Sequence, residues 1–68
     1  MEIGDKVTWR WGKYQAYGEI VDKFEKNVER NIKGTRVKRT ASAEKPAYLI
    51  RQEDGDEVLK SESELKKI

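Results

Sequence analysis

The chain has 68 residues, 41% of them charged and 35% hydrophobic, with a formal net charge of +2. A chain this short buries only about 60% of its unfolded surface, so the expectation is one domain over residues 1–68 with a thin core. Near-balanced charge, two Trp and three Tyr argue against disorder, and the absence of Cys and His excludes disulfides, thiolate or imidazole catalysis and Cys- or His-bound metal.

The first turn is Gly4-Asp5. After it Val7, Trp9 and Trp11 alternate with Lys6, Thr8 and Arg10, which predicts a strand over 7–11 with one large apolar face. Residues 12–15 connect it to a second strand over 17–24. There both faces are partly apolar, with Ile20 and Phe24 on one side and Tyr17 and Val21 on the other. A strand that bends and changes partners shows that mixture, and Gly18 suits the bend or a close backbone approach.

Residues 26–40 read as a hairpin arm turning at Lys33-Gly34, with a sparse apolar side of Val28, Ile32 and Val37. A lone hairpin is marginal in water, so this arm is expected to be the least firmly held part. A loop ending at Pro46 leads to an apolar strand over 47–52, the expected centre of the sheet. Glu53-Asp54-Gly55-Asp56 is a hairpin turn, and residues 57–60 form the next strand. Ser61 to Leu65 reads as a short helical turn with Leu65 folded back over an open end. The sum is an all-β fold: a small SH3-like or Tudor-like barrel of about five short antiparallel strands, with a protruding hairpin arm and a short C-terminal helical turn. An OB-type barrel usually needs more residues. A three-stranded sheet with one helix would need an apolar stripe of helical period, which no segment shows.

Several stretches together resemble one known family. They are Gly4-Asp5-Lys6-Val7-Thr8-Trp9-Arg10-Trp11-Gly12, Ile32-Lys33-Gly34-Thr35, Pro46-Ala47-Tyr48-Leu49-Ile50 with Glu53-Asp54-Gly55, and the run from Val58 to Leu65. The chain is similar to the hypervirulence-associated Tudor-like family of small proteins over nearly its whole length. The resemblance implies a Tudor-like fold and an interaction domain. It supplies no enzymatic activity and no settled ligand.

Net charge hides an uneven distribution. Residues 1–25 carry net −1, residues 26–45 net +5 and residues 46–68 net −2. Arg30, Lys33, Arg36, Lys38 and Arg39 make the arm a candidate surface for weak nucleic-acid or polyanion contact; the plainer reading is a solvated edge that blocks strand-to-strand aggregation. Trp11, Tyr14 and Tyr17 form a candidate aromatic rim for a protein or peptide partner. With Glu53 and Asp54 as an acidic wall, Trp11 and Tyr14 would make a cation cage; the plainer reading is that the rings, Tyr48 among them, are core and barrel rim. Glu53, Asp54, Asp56 and Glu57 cluster about one turn, but their spacing is not that of a calcium loop. Gly12-Lys13 and Lys33-Gly34-Thr35 match no phosphate-loop pattern.

With no nucleophile–base pair in view, the expectation is a non-enzymatic binding module with no catalytic or metal site and no cofactor. Its partner is expected to be nucleic acid or a protein or peptide, not a membrane, and a monomer is favoured over an oligomer. No apolar run approaches a membrane span, and a cytoplasmic location is expected.

Overall fold

The structure, a computed structural model, describes residues 1–68. Seven strands occur in chain order: β1 (Lys6–Trp11), β2 (Tyr14–Phe24), β3 (Val28–Ile32), β4 (Thr35–Arg39), β5 (Ala47–Arg51), β6 (Glu57–Ser61) and β7 (Lys66–Lys67). A 3₁₀ turn at Glu62–Glu64 joins β6 to β7. Five strands form an antiparallel sheet in the order β6-β5-β2-β1-β7, while β3 and β4 pair only with each other. This is the all-β, barrel-type arrangement expected of an SH3-like or Tudor-like chain. No ladder joins β6 to β7, so the sheet curls without closing its ring by hydrogen bonds.

Strand β2 explains how so few residues do this. Its first half pairs with β1, from Lys6↔Glu19 to Trp11↔Tyr14, and its second half pairs with β5, from Glu19↔Arg51 to Phe24↔Ala47. The register shifts between Ile20 and Asp22, a bulge that bends the strand and sharpens its twist. The two half-apolar faces seen in the sequence are the signature of this change of partner. Gly18 lies two residues before the shift, where the pairing with β5 starts. A Cβ there would lie 2.5 Å from Ile50 Cγ2 and 2.8 Å from the Arg51 carbonyl oxygen, so only glycine lets β5 cross this closely.

The expected centre of the sheet is corrected. β5 lies second from one end and β2 holds the middle, because the longer strand serves two partners. β5 is nonetheless the most deeply buried element, with Ala47, Tyr48 and Ile50 fully enclosed. The core joins Val7 and Trp9 from β1, Ile20 from β2, Tyr48 and Ile50 from β5, and Leu65 after the 3₁₀ turn. Each large side chain that it removes from water is worth about 1.5–3 kcal/mol. Leu65 covers the open end as expected, and it delivers β7 to β1 at Val7↔Lys67 and Thr8↔Lys66. The Tyr48 hydroxyl reaches Glu62 Oε1 at 3.1 Å and the Met1 carbonyl at 3.4 Å. Burial, and then its hydrogen bond to Glu62, push its pKa up to about 12.

The arm turns at Lys33 and Gly34, both at positive φ (52° and 78°), which is the pattern of the tight two-residue turn whose twist matches paired strands. Its thin apolar side, Val28, Ile32 and Val37, is half-buried. β4 and β3 both approach β6, so the arm leans on the barrel rather than standing clear of it.

Candidate functional site

Two grooves meet on the side where the arm approaches the barrel. The first is an apolar cleft of about 330 Å³. Trp9 and Leu59, nearly fully buried, form its floor. Trp11 and Tyr14 form one rim, Ile32 and Val37 of the arm the other, and Val58 contributes from β6. Trp9 and Trp11 alternate on one face of β1, yet Trp9 is 5% exposed and Trp11 67%. The difference is position along the strand: Trp9 lies over the core, and Trp11 is paired with Tyr14 at the end of the ladder, where no further strand covers it. Tyr14 is 70% exposed.

The polar lining of the cleft is Arg39, Gln52 and Lys60, with no carboxylate. Glu64 holds Arg39 at 2.9 Å and Lys60 at 3.6 Å, and also accepts the Ser61 N–H at 3.0 Å. Partial burial pushes the Glu64 carboxyl up, but the Ser61 N–H and the Arg39 guanidinium outweigh it and hold the group below its ordinary value. The second groove, about 530 Å³, adjoins the cleft across Trp9 and Lys60 and carries Arg10 and Lys66 at its edge.

The expected aromatic rim is split. Trp11 and Tyr14 share the cleft, but Tyr17 lies in other grooves, with Gln52 and Glu53. Tyr14 and Tyr17 are three residues apart on a strand, so they face opposite sides. The acidic wall proposed for a cation cage is displaced in the same way: Glu53 and Asp54 stand beside Tyr17, not beside Trp11. Tyr48 is core. The carboxylates of the β5–β6 turn do not converge on a cation. Asp56 pairs with Lys33, Glu57 pairs with Arg51, and Asp54 accepts the Asp56 N–H.

The five basic residues of the arm do not share one surface. Arg36 and Lys38 lie on its outer face, both paired to Glu29 at 3.1 and 3.3 Å. Arg30 faces inward, its guanidinium 4.7 Å from the centre of the Phe24 ring. Arg39 also faces inward, to Glu64. Lys33 at the tip reaches Asp56, whose carboxylate pushes the Lys33 pKa up through its hydrogen bond and charge. Each is thus engaged within the molecule. The acids responsible come from β3, the β5–β6 turn and the 3₁₀ turn, and only the Glu29 pairing could be read locally, from the facing positions of a hairpin.

A seven-stranded, all-β chain with a bent middle strand, a 3₁₀ turn returning a short last strand to the first, and an aromatic-rimmed cleft beside an inserted hairpin defines a small Tudor-type binding module. The family model of the hypervirulence associated proteins TUDOR domain matches residues 4–65, and the chain belongs to that family. Comparison with curated proteins and with solved structures returned no match. No helix is long and apolar enough to cross a membrane.

Proposed function

We propose that this chain is a non-enzymatic protein-interaction module that docks an apolar side chain of a partner peptide in the cleft between Trp11, Tyr14 and the arm. One observation carries the reading. In a chain with a thin core, two of its largest rings stand side by side, two-thirds exposed, over an apolar floor. Aromatic side chains at the edge of an apolar depression are the usual anchors of protein interfaces. The arm cations, the competing candidates, already face internal partners. Surface pairs are weak, about 0–1 kcal/mol each, so phosphate can displace them, but their acids lower the field that a polyanion meets.

The test is a display selection of random-sequence peptides on the wild-type protein and on Trp11→Ala. Peptides enriched on the wild type are expected to lose binding to Trp11→Ala and to shift the Trp11 indole N–H resonance. No Trp11-dependent peptide, together with oligothymidylate shifting only the amides of residues 26–39, would replace this reading with polyanion contact by the arm.

A further inference from the structure

We infer that the partner is acidic: an extended peptide whose apolar residue fills the cleft while flanking carboxylates lie in the adjoining groove against Arg10 and Lys66. This rests on the peptide-docking reading above and adds the chemistry of the ligand.

Charge at the junction of the two grooves is one-sided. Arg10, Arg39, Lys60 and Lys66 line them, against the single carboxylate of Glu64. That carboxylate is already committed to Arg39, Lys60 and the Ser61 N–H. Arg10 and Lys66 make no ion pair, whereas Arg39 and Lys60 at the same junction are both held by Glu64. They are also close neighbours. Lys66 is directly opposite Thr8 in the β1–β7 ladder, and Arg10 is two residues beyond Thr8 on the same face of β1. Diagonal neighbours of this kind are about 7–8 Å apart, within reach of long side chains. Two like charges at that spacing, with no acid between them, repel each other, and an anion placed between them relieves the repulsion. β7 begins opposite Thr8, and the chain just before it, Ser63 to Leu65, forms one side of the groove beside Arg10.

The same residues argue against a cationic ligand. Ring faces attract an ammonium group, but the cleft adds no carboxylate to help them and places Arg39 and Lys60 beside the rings. A bound Lys or Arg would instead meet Arg39 and Lys60. Complementary charge also sets approach: an acidic segment is drawn to this side of the molecule and a basic one is repelled.

The experiment reads the composition of the peptides selected above and repeats the selection with Arg10→Glu/Lys66→Glu. Both side chains are exposed, so the variant is expected to fold, and its thermal melt checks that. Wild type should enrich Asp and Glu beside an aliphatic or aromatic residue. The double variant should bind those peptides about tenfold more weakly at low salt, and its own selection should lose the acidic bias. Trp11-dependent peptides of neutral or basic composition would overturn the acidic inference and leave the docking reading standing. Absence of any Trp11-dependent peptide would remove both. Acidic peptides that bind the double variant as tightly as wild type would also overturn it, since Arg10 and Lys66 would then have no part.

Discussion

Gly18→Ala tests the claim that one close crossing sets the curvature of the sheet. The added Cβ meets Ile50 Cγ2 at 2.5 Å and the Arg51 carbonyl oxygen at 2.8 Å, where comfortable carbon contacts begin near 3.5 Å. Neither neighbour yields easily. Ile50 is fully buried against the core, and the Arg51 oxygen is backbone in the sheet beside Glu19. Relief therefore requires β2 and β5 to separate, which strains the Glu19↔Arg51 and Ile20↔Ile50 positions together. Overpacking of this kind costs about 1–3 kcal/mol. The backbone at Gly18 is not in the left-handed region, so Ala also gains about 0.4–1 kcal/mol by restricting the unfolded chain. The clash with a backbone oxygen puts the overpacking cost in the upper half of its range, about 2–3 kcal/mol, so the net loss is about 1–2.5 kcal/mol. For a domain this small, that corresponds to a fall in Tm of about 5–15 °C. Urea melts and thermal circular dichroism on the wild type and variant measure it. A variant within about 0.5 kcal/mol of wild type, the range of ordinary surface changes, would refute the crossing as the constraint.

Two titrating groups carry further expectations. Tyr48, raised from 10.0 to about 12, ionises more readily unfolded than folded. Its contribution is therefore complete below pH 10 and is lost as pH climbs to 12, by about 2–3 kcal/mol. Tyr48→Phe should cost about 0.5–1.5 kcal/mol at neutral pH through the lost hydrogen bond and should flatten the alkaline fall in urea-melt stability; an unchanged alkaline slope would refute the assignment. Glu64 runs the other way. Its carboxyl is held below the ordinary 4.5, so its contribution is present above that pH and fades on acidification beneath it. Glu64→Gln should lose about 1 kcal/mol at neutral pH, the upper end for a partly exposed pair, and the difference from wild type should vanish in strong acid.

The strands were legible wherever local chemistry decides. Asp54-Gly55 and Lys33-Gly34 marked their turns, Gly18 marked the close backbone approach, and the position of Leu65 after a polar run marked the returning end. The reading failed where pairing is made by distant partners. β7 is two lysines with no apolar signal; only its ladder to Val7 and Thr8 makes it a strand. Trp9 and Trp11 look alike in sequence because alternation gives them the same face, and their different exposure depends on where the ladder stops. Alternation along a hairpin already puts Arg36 and Lys38 on one face and Arg39 on the other; what the sequence hid is that Lys33 and Arg39 meet acids of the β5–β6 turn and the 3₁₀ turn. The separation of Tyr17 from Tyr14 was missed because residues 12–15 read as a connection; β2 begins at Tyr14, and an odd offset on one strand reverses the face.

The two residues flanking the arm, Phe24 and Ala47, stand opposite each other across the β2–β5 ladder. Everything from 25 to 46 is thus an excursion that leaves and re-enters the scaffold at facing positions. Apart from Arg39 and Pro46, which hold Glu64 and Glu62, it contributes no rung to the five-stranded frame. Since this excursion supplies one wall of the cleft, the molecule is built like a tool with an interchangeable jaw: selection can reshape what is gripped while the handle stays the same.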